Sequence, residues 1–319
     1  MAFQRIVNRT SRDGIVIKMF PFHISLEGME SVLLCRDDED YDHLQKSFYL
    51  AAWKNGCRVV AEIAMSNHGH TALLAPELSA AHRTGEMIKK RHSQYLSWKY
   101  NEKGILNRSD ISVKYLDSDW YVRNTLAYIP RNTMDTGERI EDYRWSSYRG
   151  MFVGGRCPAG VYKLADLSRR ERESRFRTHE DLSGVPWVLN ADGNIEPASA
   201  CDFQYLESAF NNEQSFFLKT IGSVNTALMQ QMLVMNGRTR QSDSEMLAAI
   251  TRQAEKWFGK SILELSPEQK AQMLPYLYRS YRTTVPQLAR CLRMPRDVVA
   301  GLVPVRGRKI DAFVADESV

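Results

Sequence analysis

Between Ile15 and Tyr128 the hydrophobic period switches back and forth between that of a strand and that of a helix, and this order constrains the fold more than any composition figure. Ile15 to Leu26 (IVIKMFPFHISL) reads as a first strand, interrupted near Pro21 and ended by Glu27-Gly28. Tyr41 to Asn55 repeats Leu44, Phe48 and Ala51 or Ala52 at helical spacing, and the acidic run Asp37 to Asp40 before it suits the positive end of a helix. Cys57 to Met65 and Thr71 to Ala75 are β-branched or apolar runs expected to pair as a hairpin, joined or extended by Ser66 to His70. A long helix follows from Ala80 to about Asn101, and another begins at Asp117-Ser118-Asp119 and runs through Tyr128 until Pro130 disturbs it. Strand, helix, strand, strand, helix, helix suits an α+β sandwich with helices on one face of an antiparallel sheet.

The texture changes after Gly154-Gly155, which places a boundary near residue 153 and gives three parts: 1–152, a connecting region 153–240 with no assigned role, and 241–319. The last part is mostly helical. Its segment Thr284 to Val303 spaces Leu288, Ala289, Leu292, Val298, Val299 and Leu302 as in a helix-turn-helix, followed by the basic Arg306 to Lys309.

Several classes are disfavoured. No run approaches the roughly 18 to 20 apolar residues of a membrane span, and the opening MAFQRIVNRTSRDG lacks the apolar stretch of a secretory signal, so a cytoplasmic location without membrane association is expected. The five cysteines have no metal or redox spacing and read as reduced thiols. A formal charge of +5 favours a polyanionic partner without naming one.

The sharpest local signal is Met65-Ser66-Asn67-His68-Gly69-His70, because two histidines at i and i+2 on an extended segment share a face and can reach one cation. Two hairpin histidines with no ligand duty fit the same letters. The second signal is Tyr128-Ile129-Pro130-Arg131-Asn132, in which i and i+4 fall on one helix face and offer a nucleophile and an oxygen donor. His23 reads as a satisfied strand residue, with a place near the metal as the alternative.

Taken together with Phe22-His23-Ile24-Ser25 and Asp142-Tyr143-Arg144-Trp145-Ser146-Ser147-Tyr148, these segments occur in an order that resembles the REP-associated tyrosine transposases, single-tyrosine HUH transposases of bacterial insertion elements. The resemblance spans roughly residues 15–152. It implies a ferredoxin-like core that usually dimerises, Tyr128 as nucleophile forming a 5′-phosphotyrosine link, and His68, His70 and Asn132 as ligands of Mg²⁺ or Mn²⁺. Two departures stand out: Gly69 where the family prefers a hydrophobic residue, which is expected to loosen local packing, and Pro130 inside the Tyr128 to Asn132 turn.

For single-stranded or hairpin DNA, Lys89, Lys90, Arg91, Lys99, Arg123 and Arg131 offer phosphate charges and Trp98 a stacking face, with Arg293, Arg296 and Arg308 added by the C-terminal part. The expected function is a transposase-like enzyme that cuts and rejoins single-stranded DNA. A domesticated hairpin-binding or transcription-regulating protein is the alternative, and a metal-binding α+β domain unrelated to DNA is a third.

Overall fold

The computed structural model describes residues 3–11, 13–28, 33–158, 161–226, 228–229, 243–280, 283 and 285–303. The chain divides into two compact units, 1–233 and 234–319.

In the first unit β1 (Val7–Thr10) and β2 (Val16–Glu27) precede α1 (Asp38–Lys54), the hairpin β3 (Arg58–Ala64) and β4 (His68–Ala75), α2 (Leu78–Tyr100), β5 (Asp110–Tyr115) and α3 (Asp119–Arg131). β4 lies between β3 and β2, and β5 pairs the other edge of β2, all antiparallel. From β2 to β5 this is the βαββαβ order of a ferredoxin-like α+β fold. β2 is long enough to take β1 along Val16 to Met19 and β5 along Phe22 to Glu27. Pro21 falls in the gap between those partners, where a residue without an N–H is tolerated.

α1 begins where the acidic run predicts: Asp37 caps it through its side chain and the backbone N–H of Asp40. α1 and α2 cover one face of the sheet, burying Phe22, Ile24, Tyr49, Leu50, Val59 and Leu73 together. A Cβ on Gly85 of α2 would come within 2.9 Å of Ile111 on β5, so small size at that position lets the helix sit close to the sheet. Gly69 faces the same layer, and a Cβ there would meet the Phe48 ring at 2.9 Å. The expected loosening at Gly69 is therefore not what this position does: Phe48 already occupies the space that a side chain would fill.

α3 lies on the opposite face, where Leu126 and Ile129 share a core with Ile63, Ala72 and Leu74. The same core takes in Leu206 of α6 (Phe203–Ala209) and Phe217 of α7 (Gln214–Ser223), which follow β6 (Tyr162–Lys163), α4 (Arg169–Phe176), β7 (Val188–Leu189) and α5 (Pro197–Ala200). Much of the segment without an assigned role thus packs onto the sheet. Arg9 of β1 also holds Asp202 through a pair of hydrogen bonds of 2.7 and 3.2 Å. Trp145 to Ser147 extend the free edge of β3: Ala64 N–H donates to Trp145 O, Ile63 bridges Ser146, and Glu62 N–H donates to Ser147 Oγ.

The second unit contains α8 (Asp243–Phe258), α9 (Pro267–Ser280), α10 (Val285–Leu292) and α11 (Arg296–Leu302), whose Ile250, Leu274, Leu277, Leu288, Leu292 and Val299 form one core. Between α10 and α11 the chain turns through Arg293 in the left-handed region (φ 52°), giving the short helix, turn and helix that the spacing predicts. Arg308 and the rest of the basic run lie outside the described residues. Among the described residues no helix is long and apolar enough to cross a membrane.

Candidate active site

Cross-strand pairing assembles the site. His68 and His70 are the first and third residues of β4, so both face the α3 side of the sheet, with ring centres 5.0 Å apart. On β2 they sit opposite Glu27 and Ser25, and the same face continues to His23 and, across the next ladder, to Lys114. The tight turn Ser66-Asn67 holds the start of β4, with Met65 N–H donating to His68 O at 2.8 Å.

α3 brings Tyr128 down onto this face. Its ring centre is 5.3 Å from that of His70 and 6.4 Å from that of His23, and the residue is only 4% exposed. Pro130 does not break the helix before Asn132; the helical turn persists through Arg131 and tightens into a 3₁₀ turn at Asn132. Proline removes a backbone donor near the helix end, and the Asn132 amide supplies another. Its Nδ2 donates to the carbonyls of Tyr128 at 2.8 Å and Ile129 at 3.2 Å. With the nitrogen so committed, Oδ1 points at His68, 3.2 Å from Nε2.

That last contact has a chemical consequence. His68 Nδ1 lies 2.7 Å from Asn67 Oδ1 and Nε2 3.2 Å from Asn132 Oδ1, and a neutral ring donates to one of these two oxygens. With the proton on Nε2 the ring donates to Asn132 Oδ1; with it on Nδ1 the Nε2 lone pair is available as a ligand beside that oxygen. Burial lowers the pKa of His70, with His68 and His23 adding to the effect, so its imidazole is a neutral potential ligand. His70 Nδ1 is buried without a hydrogen-bond partner. The donor set, two imidazoles and an amide oxygen, fits a small divalent cation. Among the described residues no three His, Cys, Asp or Glu side chains group to hold a metal ion.

Two further residues lie at this site, neither of them among the ligands expected from the sequence. His23 is 0% exposed, its ring centre lies 5.1 Å from that of His70, and neither ring nitrogen has a partner; burial, with Lys114 nearby, lowers its pKa to about 3. Lys114 is a buried lysine in register with His23. Strand alternation places each on its own strand's face, but only the β2–β5 register brings them side by side.

The expected DNA contacts divide. Lys89, Lys90, Arg91, Trp98 and Lys99 lie on α2, across the sheet from Tyr128. Lys99 is held by Asp37, Asp40 and Glu39 at 2.6, 2.8 and 3.2 Å, Arg91 donates to Phe176 O, and Lys89 donates to Ser109 O. Lys90 is exposed, as is Trp98 at 65%, with the Arg177 guanidinium 4.0 Å from its ring centre. Arg123 on α3 donates to Ala209 O at 2.6 Å and ties α3 to α6, a structural duty. Arg131 occupies the last turn of α3, and in the second unit Arg293 and Arg296 are exposed at the helical turn.

No family model matches the chain, and no curated protein matches it. A solved structure of a REP-associated tyrosine transposase bound to a REP hairpin is similar at 15% identity and a TM-score of 0.33, over 50% of this chain and 89% of that one. The likeness is distant.

A cleft of about 870 Å³ lies near the other end of the sheet, between the start of β3 and the segment 181–202. Its lining carries Arg9, Lys54 and Arg58 against Asp13, Asp181 and Asp202. That balance gives it no preference for a polyanion.

Proposed function

We propose that this protein is a divalent-metal-dependent enzyme that cleaves and rejoins single-stranded DNA, with hairpin-forming strands as substrate and Tyr128 as nucleophile. The observation that carries the reading is the convergence, across the sheet–helix interface, of Tyr128 with His70 and of Asn132 Oδ1 with His68 Nε2. A phenol, two imidazoles and an oriented amide oxygen suit phosphoryl transfer through a covalent intermediate.

In this reading the Tyr128 oxygen, having lost its proton, bonds to phosphorus. The bond from phosphorus to the 3′ oxygen breaks, and that oxygen leaves with the electron pair and takes up a proton. The strand is then held as a 5′-phosphotyrosine with a free 3′-OH, and attack by another 3′-OH reverses the step and joins the strands. His68, His70 and Asn132 would hold Mg²⁺ or Mn²⁺, which would supply polarisation of the scissile phosphate and favour the phenolate. Asn132 has a second duty, since its Nδ2 braces the carbonyls of Tyr128 and Ile129 and so fixes the turn that presents the nucleophile.

For the rest of the strand, Lys90 and Trp98 offer a charge and a stacking face, and the exposed arginines of the second unit offer phosphate contacts. A second copy of the chain is the expected partner in a homodimer.

One observation favours the other reading, a hairpin-binding protein without catalysis: Tyr128 is almost wholly covered. Incubation of wild-type and Tyr128→Phe protein with end-labelled hairpin DNA and Mn²⁺ separates the two. Cleavage that disappears with the substitution and with chelator supports the enzyme, and tight binding of several hairpins without cleavage supports the binding protein.

A further inference from the structure

The turn that carries His68 is held from the far side of the sheet by a chain of hydrogen bonds that ends on two buried histidines. His43 of α1 and His92 of α2 face each other with Nδ1 atoms 3.1 Å apart, and Tyr95 stacks on His43 at 4.0 Å between ring centres. His92 Nε2 lies 2.7 Å from Leu34 O. A carbonyl only accepts, so Nε2 carries the proton. Neutral His92 then accepts at Nδ1, and the proton between the two rings belongs to His43. Burial lowers the pKa of both imidazoles, in keeping with this neutral arrangement.

Leu34 is the next link. Its N–H and that of Cys35 both donate to Ser66 O, at 2.7 and 3.0 Å, while Gly28 N–H donates to Asn67 O at 2.7 Å. Ser66 and Asn67 form the tip of the turn between β3 and β4, and the Asn67 side chain meets the His68 ring through the Nδ1 contact. Leu34 and Cys35 are fully buried, so water is a poor substitute for any of these bonds. The order is therefore His43, His92, Leu34, Ser66-Asn67, His68.

We propose that His92, oriented by His43, is a positioning residue for His68: it fixes the turn from behind and thereby the direction in which His68 Nε2 meets Asn132. The inference rests on the reading of His68 as a metal ligand, but its structural half, rigidity of the turn, is measurable without metal. A residue that orients a ligand from outside the ligand set typically changes metal affinity by about 10- to 100-fold when removed.

The test uses the full chain as His92→Leu, His92→Gln and His43→Phe. Glutamine places an N–H near the position of imidazole Nε2, and phenylalanine keeps the stack on Tyr95 while removing the donor. Two quantities are read: Mn²⁺ affinity by calorimetry, and amide exchange in a peptide spanning 65–70, with circular dichroism confirming the fold. The expected result is faster exchange and an Mn²⁺ Kd raised about tenfold in His92→Leu, a smaller rise in His43→Phe, and recovery to within about threefold of wild type in His92→Gln. Wild-type exchange and affinity in His92→Leu overturn the proposal. If His92→Leu does not fold, an unchanged exchange rate and affinity in His43→Phe overturn it instead. If the wild-type protein binds no Mn²⁺, the metal reading fails by itself, and the exchange rates alone decide whether His92 fixes the turn.

Discussion

Asn132 Oδ1 stands 3.2 Å from His68 Nε2 because the other half of the same amide is committed to the carbonyls of Tyr128 and Ile129. One side chain thus serves the candidate metal position and the backbone that presents the nucleophile. Asn132→Ala is expected to do two separable things: raise the Mn²⁺ Kd by about tenfold, and lower stability by about 1–2 kcal/mol through the two buried side-chain hydrogen bonds it removes. Calorimetry and a denaturant titration read the two effects. Unchanged Mn²⁺ affinity in a folded variant contradicts the ligand role.

Gly69 separates the two histidines and faces Phe48. Gly69→Val requires the Phe48 ring to move from a position 2.9 Å from the new Cβ, and overpacking of this kind costs about 1–3 kcal/mol. The combined Gly69→Val, Phe48→Ala protein is expected to be more stable than the sum of the two single changes predicts. Simple additivity in a double-mutant cycle rules out the contact as the cause.

Stability is expected to fall on both sides of mid-range pH. Glu62 of β3 is fully buried under α1; burial raises its pKa from 4.5 to about 8, although Gln45 and Tyr49 donate to it and pull the other way. The folded chain therefore keeps this proton between pH 4.5 and 8 while the unfolded chain releases it, and the contribution is lost as pH rises through that window. His92 acts in the opposite sense: burial lowers its pKa from 6.5 to about 4, so its contribution is present above pH 6.5 and lost as pH falls toward 4. Glu62→Gln should flatten the alkaline side by up to about 1.4 kcal/mol per pH unit, seen as a Tm that gains on wild type from pH 5 to pH 8. A Tm difference independent of pH contradicts a buried, protonated Glu62.

Lysines on α2 are expected to behave differently from one another. Lys90 is exposed and Lys99 is caged by three carboxylates. If α2 lies against the strand, Lys90→Gln reduces the slope of log affinity against log salt for single-stranded DNA by about 0.7, the value for one phosphate contact. Lys99→Gln instead lowers Tm and leaves the salt slope nearly unchanged. The reverse pattern places the strand on the Lys99 end of the helix.

Much of this architecture is legible in the sequence, and the boundary of legibility has physical causes. The strand and helix periods of the first 130 residues give β2, α1, β3, β4, α2 and α3, since each of these elements buries one face and its pattern is local, but β1 and β5, four and six residues long, were not read, and with β5 the last strand of the βαββαβ order. The two-residue spacing of His68 and His70 and the four-residue spacing of Tyr128 and Asn132 likewise survive into the structure. The juxtaposition of His23 and Lys114 was missed because it depends on the pairing of strands some 90 residues apart in the chain. Pro130 looked more disruptive than it is, since its helix ends one residue later with an asparagine amide serving the buried carbonyls of Tyr128 and Ile129. The segment after residue 153 offered no pattern because α4 is nearly all charged, with only Phe176 buried, and β6 and β7 are two residues each. Lys99 and Arg91 carry the letters of a nucleic-acid face, but their partners, Asp37, Asp40 and Phe176 O, are visible only in three dimensions.

The central claim is that Tyr128 forms a covalent bond to DNA. The most direct measurement is mass spectrometry of the proteolysed protein after incubation with a short hairpin oligonucleotide and Mn²⁺. The account predicts a 5′-phosphonucleotide mass on the peptide containing Tyr128, absent with chelator and in Tyr128→Phe. Cleaved DNA with an unmodified Tyr128 peptide, or an adduct on another residue, contradicts it.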